Sequence, residues 1–96
     1  MKICENGCYI EKKYLDKQID AFLPIKLKKK EKEKNLLLCL HEQMLAIYND
    51  KLILQCHKSL PYGNRIKGIA QIRNHVYIVE EHKIIRIHLL NLNEIF

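Results

Sequence analysis

The residues of this 96-residue chain best suited to chemistry are its four cysteines and five histidines. Cys4 and Cys8 flank Glu5-Asn6-Gly7, Cys39 stands two before His41, and Cys56 adjoins His57. Thiolate and imidazole are the ligands that a tetrahedral zinc takes. On a strand, Cys39 and His41 share one face, as joint ligation needs. Cys4, Cys8, Cys39 and His41 are therefore the candidate set for a zinc-stabilised adaptor. Their spacing departs from the two-residue gap of paired-cysteine sites. The simpler reading makes Cys39 and Cys56 small core residues. A cysteine nucleophile would need His57, His75 or His82 as its base. Cys56 and His57 cannot serve each other on a strand, because neighbours point to opposite faces. The sequence holds no glycine-rich phosphate loop, no Gly-x-Ser-x-Gly elbow and no His-Glu-x-x-His helix. The chain reads as a non-enzyme without a cofactor, zinc excepted. His41, His57, His75, His82 and His88 read as solvated polar positions.

The second candidate site is cationic. Lys26, Lys28, Lys29, Lys30, Lys32 and Lys34 crowd one short stretch, interrupted by Glu31 and Glu33. Lysines supply phosphate contacts without reading sequence. Arg65, Lys67 and Arg73 extend the set, and Tyr62 is the candidate to stack on a base. The formal charge of +6 favours an acidic partner, whether RNA, DNA or an acidic protein surface. The plainer reading of such a run is a solvated linker.

These residues need elements to position them. With 48% hydrophobic and 29% charged residues the composition is that of a globular domain. The first residues carry no apolar signal segment, and no apolar run approaches the roughly 20 residues of a membrane span. An intracellular, cytoplasmic protein with reduced thiols is the expectation.

Residues 10–23 have helical spacing, with Leu15, Ile19, Phe22 and Leu23 on one face and Pro24 as the stop. Residues 26–35 read as a lysine-rich linker, so residues 1–35 form a helix-plus-linker segment. From Leu36 to the end, short apolar runs alternate with polar breaks. The expected strands are 36–41, 44–48, 51–56, 66–73, 76–80 and 83–90, with turns at Asn49-Asp50 and over 60–64. A helix over 36–54 is the rival, since Leu37, Leu40, Met44, Leu45 and Tyr48 would line one face.

Internal similarity favours strands. Offset by 32 residues, Leu37 falls on Ile69, Leu40 on Ile72, Met44 on Val76, Ile47 on Val79 and Ile53 on Ile85. Periodic similarity on this scale marks repeated units. The stretch Gly68-Ile69-Ala70, then Asn74-His75-Val76-Tyr77-Ile78-Val79, then Lys83-Ile84-Ile85-Arg86-Ile87-His88, resembles a blade of a β-propeller of the NHL type. Residues 36–57 resemble it more faintly. The family's Asp after the second strand is here Glu80 or Glu81, and the Gly of its first turn is missing. The resemblance implies antiparallel blade-like units. Two such units cannot close a ring of about 4–8 blades.

The expected fold is therefore α+β, mainly β. Two repeats make a six-stranded antiparallel meander, and one N-terminal helix covers a face. The expected function is a small non-catalytic protein-interaction module, an inhibitor or regulator of a larger protein, or one that self-associates. The alternative is nucleic-acid binding through the lysine-rich stretch.

Overall fold

Among the described residues, nine strands form three antiparallel sheets in a computed structural model that covers residues 2–5, 8–15, 17–29, 31–63 and 65–92. A separate two-stranded ladder pairs β1 (Lys2–Glu5) with β2 (Cys8–Glu11). The first large sheet is a meander of β3 (Ala21–Lys29), β4 (Lys32–His41), β5 (Met44–Tyr48) and β6 (Leu54–Ser59). The second is a meander of β7 (Ile66–Ile72), β8 (His75–Glu80) and β9 (Ile84–His88), closed by a 3-10 turn at Leu89–Asn91.

The two large sheets share one apolar interior. Ile25, Leu27, Leu36, Leu38, Leu40, Leu45, Ile47 and Cys56 from the first are buried in one cluster with Val76, Ile78 and Leu89 from the second. Period-two alternation sends these residues inward and their neighbours outward. Burying a leucine or isoleucine is worth about 1.5–3 kcal/mol, so this interior is the main stabilising term.

The helix expected over residues 10–23 is absent. Among the described residues no helix of seven or more residues occurs, and the strands divide between separate sheets instead of forming one six-stranded meander, so the α+β expectation gives way to a strand architecture with one 3-10 turn among the described residues. Residues 8–11 are β2, the described residues among 12–20 carry no regular structure, and β3 begins at Ala21. The physical reason is a stronger alternation that continues through Pro24. Ile25 and Leu27 are buried, Ala21 and Leu23 pack against them, and Phe22, Pro24, Lys26 and Lys28 face out. Pro24 is tolerated because β3 is an edge strand of its sheet. The Lys26 N–H and C=O point away from β4, to the Gln71 side chain, and by period two the Pro24 nitrogen points the same way. No ladder hydrogen bond is lost.

The lysine-rich segment is likewise not a linker. It forms the distal half of the β3–β4 hairpin, with Lys28 opposite Glu33 and Lys29 opposite Lys32. The expected strand 36–41 thus extends back to Lys32, residues 36–54 are strands joined by turns rather than a helix, and the strand expected over 51–56 begins only at Leu54, after the turn of residues 49–53. The Asn6-Gly7 turn lies outside the described residues.

Two side chains tie the sheets together. The Gln71 amide accepts from the Lys26 N–H at 2.9 Å and donates to the Lys26 and Arg73 carbonyls at 2.7 Å each. It stands in for a strand residue at the β3 edge. Gln43, at positive φ in the two-residue β4–β5 turn, holds the crossover to the second sheet. Its side chain accepts from the Tyr62 N–H at 2.8 Å, and its carbonyl accepts from the Leu60 N–H at 2.9 Å.

Because one interior serves both sheets, Leu38→Ala and Ile78→Ala are each expected to cost about 2–5 kcal/mol. Urea denaturation should give a single transition for both variants. Two separable transitions would show that the sheets hold together independently.

Candidate binding face

The second sheet has an outer face built from nine positions. Register places Gly68, Val79 and Ile84 in one row, Ala70, Tyr77 and Arg86 in the next, and Ile72, His75 and His88 in the third. Rows along a strand lie about 7 Å apart. The inward partners on the same strands, Ile69, Val76, Ile78, Ile85 and Ile87, supply the interior, so alternation fixes the nine outward.

Three large apolar side chains on this face meet solvent: Ile72 is 60% exposed, Val79 37% and Ile84 67%. Between them lie three rings. His75 and His88 meet edge to face with centroids 4.4 Å apart, and Tyr77 lies 6.4 Å from His75. Arg86 is exposed in the row of Tyr77. A Cβ added at Gly68 would touch nothing, so the flank beside Val79 is open. None of the nine positions is a carboxylate. Arg73 lies in the β7–β8 turn at one end, and Glu81 and Lys83 lie in the β8–β9 turn at the other. Partial desolvation, His88 and Arg86 all push the His75 imidazole below its usual range.

The outer face of the first sheet is different. Leu15 packs onto Cys39, Ala46 and Tyr48, and Lys13 Nζ sits 5.1 Å from the Tyr48 ring centroid. Segment 12–20 thus covers part of that face and leaves a cavity of about 110 Å³ lined by Lys13, Leu15, Ile19, Leu37, Cys39, Tyr48 and Leu52.

The cysteines and histidines do not converge. Among the described residues no group of three or more His, Cys, Asp or Glu side chains is placed to hold a metal ion. Cys39 and His41 do share the outer face of β4, and the His41 ring stacks on His57 with centroids 6.4 Å apart. Two imidazoles are half of what tetrahedral zinc requires. Burial pushes the Cys39 thiol up, away from the thiolate that a ligand or nucleophile needs. Cys56 lies in the shared interior. Cys4 sits opposite Tyr9, and Cys8 opposite Glu5, in the small ladder; their side chains lie outside the described residues.

The cationic candidates are dispersed. Lys26 and Lys28 face out with Phe22, and Lys26 pairs with Glu33 at 3.2 Å. By alternation Lys32 and Lys34 fall on the opposite face with Leu36. Lys30 and the side chain of Lys29 lie outside the described residues. Arg65 lines a cleft of about 390 Å³ together with Glu80, Glu81, His82 and Lys83, so carboxylates share its surroundings. Lys67 is exposed on β7.

Tyr62, the proposed stacking ring, is buried at 5% exposure. Its hydroxyl donates to Asp20 Oδ2 at 2.5 Å and accepts from the Gln43 N–H at 3.3 Å. Burial first, and the bond to Asp20 second, push its phenol up to about 12. It is a structural clasp with no ring face free for a base.

The rings on the outer face were missed by sequence reasoning. The signal was present as alternation, His75-x-Tyr77-x-Val79 and Ile84-x-Arg86-x-His88, on two adjacent strands. Among the described residues no helix is long and apolar enough to cross a membrane. No protein-family model, no curated protein and no solved structure matches this chain.

Two measurements check this geometry. The His75 imidazole should titrate below 6.5 in a proton NMR series, and Arg86→Gln or His88→Gln should move its midpoint upward. An unmoved midpoint in both variants would contradict the cluster. Tyr62→Phe should lower stability by about 1–2 kcal/mol at pH 8. Since the folded phenol titrates above its unfolded value, the contribution is full below about pH 10 and is lost as pH rises through about 12. The gap between wild type and Tyr62→Phe should therefore close over that window in denaturant midpoints.

Proposed function

We propose that this chain is a non-catalytic interaction module that binds a macromolecular partner through the outer face of its second sheet. The observation that carries this reading is the contiguous face around Ile72, Val79 and Ile84, exposed and free of carboxylates. Contiguous exposed apolar surface marks docking sites, because leaving it wet forgoes burial that a partner would supply. The first sheet's outer face, partly covered by segment 12–20, offers a less open surface. The lysine-rich hairpin is a less coherent one, since its lysines leave from two faces and Lys26 is paired.

The reading also fits a regulator that acts by occupancy, since a docking face needs no reactive group. Catalysis would call for a nucleophile and a base in reach of each other. Burial pushes the Cys39 thiol up, away from the thiolate, and Cys56 lies in the shared interior.

The test is affinity capture from lysate with the tagged chain, reading out both protein and nucleic acid. The wild type should retain a partner that a folded Ile72→Ser/Ile84→Ser double variant loses. A folded double variant that retains the same partner, or a wild type that retains none, would overturn the reading.

A further inference from the structure

We infer that the ligand of this face is a single-stranded nucleic acid, held by base stacking on Tyr77 and on the His75–His88 pair and by a phosphate contact from Arg86. The inference rests on the proposed use of the face and adds the chemistry of the partner.

Three features of the face select this class of ligand. The first is ring content. Three of the nine outward positions carry planar rings, and they neighbour one another: His75 opposite His88 on the adjacent strand, and Tyr77 one row along β8 from His75. Every base has a π-face, so rings that reach solvent on a sheet, here the half-buried Tyr77 and His75 and the exposed His88, make a platform that tolerates any sequence. The duplex hides its base faces and cannot use such a platform; a single strand can.

The second is charge. Arg86 stands beside Tyr77 in register, within reach of a phosphate linking a base stacked on that ring to the next. Its guanidinium offers a planar fork of donors that suits phosphate. No carboxylate occupies any of the nine positions, so nothing on the face repels a polyanion, and the whole chain carries +6. The carboxylates nearest in sequence lie off the face: Glu80 is buried on the inner side of β8, and Glu81 belongs to the β8–β9 turn at the rim.

The third is relief. Gly68 and Ala70 occupy the β7 positions next to Val79 and Tyr77, and open space lies over Gly68. Small residues there leave the Tyr77 ring accessible from its β7 side. Ile72 and Ile84, at the two ends of the face, are placed to cover sugar edges. An apolar protein surface would pack equally well on the isoleucines. It would make no use of Arg86, exposed at the β9 margin of the middle row.

Fluorescence anisotropy with labelled 12-nucleotide uridine and thymidine oligomers, and a duplex control, tests the inference on the full chain. Binding at low salt should be stronger for the single strands than for the duplex. Tyr77→Ala should weaken it at least about fivefold, while Tyr77→Phe, which keeps the ring, should bind like wild type. Arg86→Gln should reduce the slope of log affinity against log salt by about 0.7. Phe22→Ala, on the outer face of the other sheet, should change nothing. If no single strand binds at low salt, the inference fails. It fails also if Tyr77→Phe binds as weakly as Tyr77→Ala, or if only Lys28→Ala and Lys32→Ala weaken binding, since the hairpin is then the site. A nuclease-resistant partner lost by the Ile72→Ser/Ile84→Ser variant would leave the docking face standing with a protein on it. Absence of both oligomer binding and any face-dependent partner would remove both readings.

Discussion

Neither large sheet can bury its apolar face alone, and everything else in this fold follows from that. The first sheet sends Leu27, Leu38, Leu40 and Ile47 inward, and the second answers with Val76, Ile78 and Leu89. A three-stranded meander in isolation would leave its apolar face in water. Packed on its neighbour, it becomes a rigid support whose opposite side is fixed by the same alternation. The geometry of the outer face is thus a by-product of the interior. Ile78 inward obliges Tyr77 outward, and Ile85 with Ile87 obliges Arg86 outward.

Much of the strand content was legible in the sequence. The stretch 44–48 and the Lys83–Leu89 alternation correspond to β5 and β9, and 66–73 to β7. Pro24 is a helix stop by its own chemistry, yet the inward row of partly buried Ala21 and Leu23 and buried Ile25 and Leu27 runs straight past it as strand. Whether a proline can sit in a strand depends on which side of the strand has a neighbour, and that is knowledge of the sheet rather than of the segment. The lysine run misled in a similar way. Its charges concealed the alternation that carries Ile25 and Leu27 into the interior.

The site was legible only in fragments. Tyr62 attracted attention because it neighbours Arg65 and Lys67 in sequence. In space it belongs to Asp20 and Gln43, two segments away in the chain. Tyr77 was hidden inside the apolar run Val76-Tyr77-Ile78-Val79. Cross-strand register, which pairs Tyr77 with Arg86 and His75 with His88, cannot be had from periodicity within one strand. Polar side chains here divide by job. Tyr62, Gln43 and Gln71 are engaged in holding segments together, whereas Arg86 and His88 remain exposed.

The glutamine clasp at Lys26 bears on how such a molecule avoids runaway polymerisation. An uncovered strand edge is a template on which further chains can grow. Along β3 that template is defective: a side-chain amide already occupies the donor and acceptor of Lys26, and Pro24 has no donor to offer. Within the two large sheets, accretion of foreign strands is thereby steered to β6, β7 and β9. A molecule open to growth on some margins and blocked on another has a built-in polarity, and its aggregates, where they form, should extend from those margins alone.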